Sequence, residues 1–471
     1  MSRHGLLYVL GAALQGMALL VATPFATRAL GADEYGRVAI ALALAQTLVS
    51  VLAAGFPQLI LRDWARDTGS RTDARVTVGL MVIGGASIAV VGSSVVAVLA
   101  TTGTISDPLP AYAVTLSAGS LTCVAACQAV LRAARRPLAF VILATTSTLG
   151  AVLAGIATTK VMPTAGAYLA GYAAVLLVLG AVSVLISQPV WPWRERDRAR
   201  RNLPPALALV PHGLGMVVLL SSDTILAGGF LGAEGAGTYQ PAIMLGNIVF
   251  TLASALFNAW GPAVYRQPAK VRWRWMGASA VLIALLLAGA AACLAVTARW
   301  VVPVFVGPDF DHDTIATLAG TVAWMGVAYV LYLGCSLVLV EHGRTGTLAA
   351  ITVTTAVAFL ATGAVAVHVF GLEGLALSKV GAHVVLFFAT WRVARRFDLV
   401  PLGGWPTLVL ALVGTAALGA TVFGNPTVQT SLLLGALPVI AVAALAQVRR
   451  TSRVVATDAG TDPADVTRRE P

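Results

Sequence analysis

SSDTILAGGFLGAEGAGTY, residues 221–239, lies near the middle of a 471-residue chain and places one carboxylate inside an apolar run. The run starts near Ala206 and ends near Leu231, and Asp223 is the one acidic residue of 20 that falls well within such a stretch. An ionised carboxylate at the centre of a bilayer costs about 3 kcal/mol on insertion scales, so Asp223 is expected to face a cavity, a partner or a proton. Just after it, FLGAEGAGTY echoes ALGADEYGRV, Ala29 to Val38, at an offset of 201 residues. Leu30-Gly31-Ala32 and Gly36 match Leu231-Gly232-Ala233 and Gly237. A second pair, AGAYLAG from Ala165 and EGLALSK from Glu373, matches at an offset of 208. Both pairs enter an even-numbered apolar run, so six spans are repeated in the same orientation.

The expected fold is an all-α polytopic membrane protein with about 14 transmembrane helices, as two six-helix lobes in parallel repeat plus two C-terminal helices. Residues 1–190 form the first lobe, 191–204 a cytoplasmic linker and 205–398 the second lobe. Residues 399–447 supply the two added helices and 448–471 a disordered cytoplasmic tail. Parallel repeats of this kind put a substrate site between the lobes.

Composition agrees. The chain is 58% hydrophobic and 11% charged, with a mean hydropathy of +0.86, against about 25% charge in a soluble protein. The first apolar run, Leu6 to Thr27, is longer than a signal-peptide core and reads as a permanent helix. The net charge of +11 reports topology. With a cytoplasmic N-terminus and alternating spans, most of the 31 Lys and Arg face inward, from Arg3 and the Arg62–Arg75 loop to the tail, as the positive-inside rule requires. Both termini are then cytoplasmic, in a bacterial-type cytoplasmic membrane, and nucleic acid is not an expected partner. Every tryptophan but Trp324 lies at or beside a span end, as an aromatic belt would. The four cysteines lie in apolar runs with no His or carboxylate beside them, and read as packing residues rather than a metal pair.

A family resemblance now emerges. FATRALGADEYGRVAIALALAQ (Phe25 to Gln46) and GFPQLILRD (Gly55 to Asp63) resemble the opening helices of bacterial polysaccharide and O-antigen flippases, members of the multidrug/oligosaccharidyl-lipid/polysaccharide exporter superfamily. SDTILAGGFLG (Ser222 to Gly232) resembles their seventh helix and VFGLEGLALSKV (Val369 to Val380) their entry to the twelfth. That helix often carries Asp followed by Arg in this family, whereas Thr224 follows Asp223 here.

The resemblance implies secondary transport without enzyme activity. A polyprenyl-pyrophosphate-linked oligosaccharide would be flipped across the membrane by alternating access, for polysaccharide biosynthesis. Its partners would be the lipid-linked anionic glycan, the bilayer and polysaccharide-assembly proteins. No cofactor is implied beyond coupling to H⁺ or Na⁺. Such a headgroup needs cationic contacts. Arg28 at the outward end of the first span, Lys379 inside the twelfth and Arg62 on the inner side are the candidates. Asp223 is the candidate for ion coupling and Pro24 for a hinge. Asp223 lies roughly 12 Å, and Lys379 about 9 Å, below the outward ends of their spans. The two are placed to form either a static ion pair or one that substrate phosphate opens. Arg28 equally fits a headgroup anchor. His212 and His383 fit proton relays or packed core histidines.

Three rival functions carry different signatures. A multidrug antiporter of the same superfamily would have an acid-dominated cavity. A membrane glycan polymerase or ligase would need catalytic groups outside, where GPDFDHD (Gly307 to Asp313) is the candidate and reads instead as a turn with an Asp N-cap. A silent scaffold is the third. No phosphate-binding Gly-rich loop with Lys-Ser/Thr points to ATP.

Overall fold

The computed structural model describes residues 3–53, 55–66, 70–398, 402, 404–423 and 426–458, and every regular element among them is a helix. Close packing divides the chain into two units, Met1–Gln240 with Val304–Phe310, and Pro241–Pro303 with Asp311–Pro471.

Unit 1 holds α1 (Arg3–Ala53), α2 (Phe56–Arg66), α3 (Ser70–Thr101), α4 (Leu109–Ala133), α5 (Pro137–Thr145), α6 (Ala151–Thr159) and α7 (Ala165–Ser187), followed by the first part of α8 (Arg196–Tyr265). A π-helical turn, Thr146–Gly150, joins α5 to α6 within one span. Unit 2 takes the rest of α8, then α9 (Arg272–Phe305), α10 (His312–Ala323), α11 (Met325–Glu341), α12 (Thr345–Ala394), α13 (Trp405–Phe423) and α14 (Pro426–Asp458).

Three of these helices are far longer than the ~20 residues that cross a bilayer: α1 has 51 residues, α8 has 70 and α12 has 50. Each is broken once by a glycine whose φ is positive: Gly31 (φ 70, ψ 178), Gly232 (φ 78, ψ −177) and Gly371 (φ 64, ψ −148). A side chain at these angles would meet its own backbone, so glycine sets where the chain turns back. Each long helix is therefore two spans joined by a one-residue corner. Among the described residues nine helices are long and apolar enough to cross a membrane, or ten when the bent pair Leu19–Val51 and Phe56–Ala65 is included. Two of the nine, Val210–Tyr265 and Thr345–Ala394, contain such a corner. The apolar part of α13, Trp405–Gly419, falls short of that length.

The expected linker is ordered. Residues 196–204 form the first turns of α8, and they dock on the start of α3. Arg198 Nη1 donates to Asp73 Oδ1 at 3.1 Å. Asn202 Nδ2 donates to the Asp73 carbonyl at 3.1 Å and to Thr77 Oγ1 at 3.0 Å. At the other end, α14 runs on as helix through residues 448–458 of the expected tail; residues 459–471 lie outside the described set.

Candidate functional site

The repeat read from the sequence becomes a pair of equivalent hairpins whose corners both lie in unit 1. Gly31 turns the chain between the two halves of α1, and Gly232, its partner at the 201 offset, turns it between the halves of α8. The two corners touch. A Cβ added to Gly36 would come within 1.7 Å of the Ala233 carbonyl oxygen, and one added to Gly237 within 1.9 Å of the Ala32 carbonyl oxygen. The contact is reciprocal, as a pseudo-two-fold axis through the repeat requires, and only glycine lets the backbones approach so closely. Beside it Glu34 accepts a hydrogen bond from the Ala165 amide at the start of α7, so the first corner of one motif caps the helix of the next.

Inside the α8 hairpin sit Asp223 and Tyr239, both fully buried. The Tyr239 hydroxyl faces the Asp223 carboxylate, at a geometry short of a full hydrogen bond. One residue further along each arm, Thr224 Oγ1 donates to Gln240 Oε1 at 2.7 Å. Sixteen residues of straight helix would separate these partners by about 24 Å, so both pairs exist only because Gly232 folds the arms together. Neither Tyr239 nor Gln240 is singled out by the sequence. A tyrosine close to a span end looks like a belt residue until the corner at Gly232 turns it back toward Asp223.

The remaining candidates are distributed as follows. Arg28 is exposed, but its guanidinium is turned onto the backbone: Nη1 donates to the Pro24 carbonyl and Nη2 to the Val304 carbonyl, each at 2.8 Å. Phe310, at the end of the same 304–310 segment, sets its ring edge-on to Tyr35 with centroids 6.2 Å apart. Pro24 lies inside the first half of α1, whose non-helical backbone is at Gly31. Arg62 Nε donates to Asp63 Oδ1 at 2.7 Å at the end of α2. Asp63 is itself buried, and its Oδ2 has no hydrogen bond among the described residues.

Lys379 and His383 belong to unit 2, on the second half of α12, and both are fully buried. His383 Nδ1 lies 2.9 Å from the Lys379 carbonyl, and its Nε2 has no hydrogen bond among the described residues. Phe250 and Tyr329 place their rings edge-on to the imidazole, with centroids 6.4 and 6.3 Å away. An open groove of about 840 Å³, lined by both halves of α12, carries Thr362, Glu373 and Ser378 among apolar walls, and Lys379 does not line it. His212 is partly buried in the first half of α8. Asp311, from the GPDFDHD cluster, is the N-cap of α10, accepting from the Thr314 amide at 3.1 Å and its hydroxyl at 2.6 Å. These two bonds hold its carboxyl below the ordinary value of 3.8.

Residues 2–266 match the model of a family described as polysaccharide biosynthesis protein. The chain belongs to the polysaccharide biosynthesis protein family. The matched segment takes in both glycine corners and the Asp223–Tyr239 pair. Among solved structures, the lipid II flippase MurJ in an inward closed conformation superposes on this family member with a TM-score of 0.63, at 12% identity, over 93% of this chain and 98% of that one. A multidrug resistance MATE transporter matches in its inward-facing conformation (TM-score 0.54, 16% identity, 83% of this chain and 97% of that one). It matches in its outward-facing conformation too (0.55, 16%, 83% and 93%). No curated protein sequence matches. At these identities the structural matches speak for the fold alone, the many-helix fold that MurJ and the MATE transporters share. The recognition made from short motifs at Phe25–Asp63 and Ser222–Gly232 thus stands, and so does the all-helical class.

Proposed function

We propose that this polysaccharide biosynthesis family member is a secondary transporter that moves a polyprenyl-pyrophosphate-linked oligosaccharide from the inner to the outer leaflet of a bacterial cytoplasmic membrane. It is not an enzyme in this reading. The observation that carries it is the family match over residues 2–266, on a fold shared across 93% of the chain with a lipid II flippase. The headgroup of such a cargo is strongly hydrated and cannot enter hydrocarbon unaided. The buried charged groups support it: in unit 1 Asp63 is paired with Arg62 and Asp223 is the other buried carboxylate, while unit 2 buries Lys379, which is not the acid-dominated interior that a cationic drug demands. Asp223 is the coupling carboxylate, taking up H⁺ or Na⁺. Lys379 holds positive charge inside unit 2, and its contact with phosphate requires a rearrangement of the groove at Gly371. Arg62 meets the anionic headgroup at the inner surface. Likeness to MATE transporters gives drug–cation antiport as the competing function.

The test is reconstitution in liposomes with a fluorescent lipid-pyrophosphate oligosaccharide and, separately, with a cationic dye. The expected result is flipping of the lipid-linked glycan, lost at least tenfold in Asp223→Asn and in Lys379→Met, with unchanged protein abundance and gel-filtration profile. Dye movement without glycan flipping would establish the antiporter instead, and full glycan flipping by Asp223→Asn would remove the coupling role.

A further inference from the structure

The first half of the chain supplies an internal control for the second. With Gly31 set on Gly232, Ala22 falls on Asp223, Thr23 on Thr224 and Val38 on Tyr239. Burial is conserved across this pairing: Ala22 is 3% exposed and Val38 2%, against 0% for both Asp223 and Tyr239. At these positions the α1 hairpin carries apolar side chains where the α8 hairpin carries a carboxylate facing a phenol. The α1 hairpin is bridged instead by a neutral contact, Thr23 with Tyr35. Both hairpins share the glycine corner and the reciprocal contact, so the corner forms without a carboxylate, and the buried charge is particular to α8.

We propose that Asp223 and Tyr239 form a cation-sensitive clasp across the Gly232 corner, with Tyr239 the positioning residue that sets the affinity of the carboxylate. The proposal rests on the transporter reading above and specifies how its ion site moves the helices. An ionised Asp223 accepts from the Tyr239 hydroxyl and draws the two arms of α8 together. A proton on the carboxylate makes it a donor, and a bound Na⁺ turns the phenol oxygen from a donor into a ligand. Either way a monovalent cation alters the clasp. Thr224 and Gln240, neutral and hydrogen-bonded at 2.7 Å, form the fixed rung beside it. Tyr239 is the titratable group that faces Asp223 from the opposite arm, and the second half of α1 presents apolar Ile40 to Gly228 on the same hairpin. The clasp lies about 12 Å from the corner and Leu207, on the first arm, about 38 Å from it. A 1 Å change at the clasp therefore moves Leu207 roughly threefold further. The α1 hairpin, with Ala22 and Val38 at these positions and the neutral Thr23–Tyr35 contact beside them, has no such response.

The experiment needs no cargo. Spin labels at Leu207 and Asn258, both exposed on α8, are placed in a cysteine-free full-length chain in nanodiscs and their distance is followed from pH 5 to 8, with and without Na⁺. A shift of about 3 Å or more is expected along one of the two arms, pH or Na⁺, which names the cation. Tyr239→Phe should move the midpoint at least tenfold in cation concentration. Asp223→Ala with Tyr239→Val, which copies the α1 pair, should give a distance that ignores both cations. A native distance that follows neither cation, an unmoved midpoint in Tyr239→Phe, or a double variant that responds like the native chain overturns the clasp. If the double variant fails to fold, Tyr239→Phe alone decides. A cation response without glycan flipping in liposomes would count against the cargo and leave the clasp standing; flipping without the response would do the reverse.

Discussion

Arg28 illustrates what a residue's type and depth can and cannot convey. A guanidinium at the outward end of a span suits phosphate, yet both of its Nη atoms are held by the carbonyls of Pro24 and Val304. The second carbonyl lies 276 residues away in sequence, so no local pattern could have announced it. Asp223 is the opposite case. Its burial followed from hydropathy alone, because a single charge in an apolar run has nowhere polar to go. Its neighbour Tyr239 was hidden by the corner between them. The Asp N-cap in GPDFDHD was legible as a residue type at the start of an apolar run, and the structure picks Asp311 from the three aspartates there. Asp311→Ala should cost about 1 kcal/mol, the usual value of a lost cap, measured as a lower midpoint of thermal unfolding. The bonds from Thr314 depress the carboxyl pKa below 3.8. The cap therefore contributes fully above the unfolded-state value and is lost as pH falls through the lower folded one. The gap between Asp311→Ala and the native chain should be constant from pH 8 to 5 and close toward pH 3.

At the scale of elements, the glycines carry more information than the apolar runs they interrupt. Hydropathy places the spans but cannot say that α1, α8 and α12 are continuous helices with a single non-helical residue, because a corner of one residue leaves no polar loop behind. The repeated LGA motif falls on two of those corners, Gly31 and Gly232, without saying why it recurs. The structure supplies two separate reasons. Gly31 and Gly232 are required by backbone angle, with open space around them, whereas Gly36 and Gly237 are required by a carbonyl less than 2 Å from where a Cβ would sit. These requirements predict different penalties. Gly232→Ala meets no neighbour within 4 Å and bears only the backbone penalty of a region almost reserved to glycine, φ 78 and ψ −177, about 1–3 kcal/mol. Gly237→Ala must push two backbones apart, which places it among the severe substitutions above about 4 kcal/mol. Heating followed by gel filtration should rank them native, Gly232→Ala, Gly237→Ala, with the last poorly folded even before heating. Equal midpoints for the two variants would mean that the reciprocal contact is not a fixed part of the fold.

For the whole molecule, composition and charge asymmetry were enough to specify a helical membrane protein, because 11% charged residues cannot cover a water-soluble surface. They left the span count approximate. Two of the nine qualifying helices hide a corner, and α13 presents an apolar stretch too short to qualify by itself. Orientation rests on the distribution of Lys and Arg, and it can be tested at two exposed turns. The turn after α3 contains Ser106 and the start of α12 contains Thr345, both exposed in the structure. Ser106 lies in a segment without Lys or Arg between Val76 and Leu131, as an outward loop should, whereas Thr345 follows Arg344 directly. The test requires a background without the native thiols, above all Cys293, which is exposed on α9. In that background Ser106→Cys is expected to react with an impermeant maleimide in intact cells and Thr345→Cys only after permeabilisation. The positive-inside bias acts through short loops and their basic residues, so both sites must obey it together. Labelling of Thr345→Cys from outside would invert the chain in the membrane, and with it the direction in which a cargo engaged near Arg62 would have to travel.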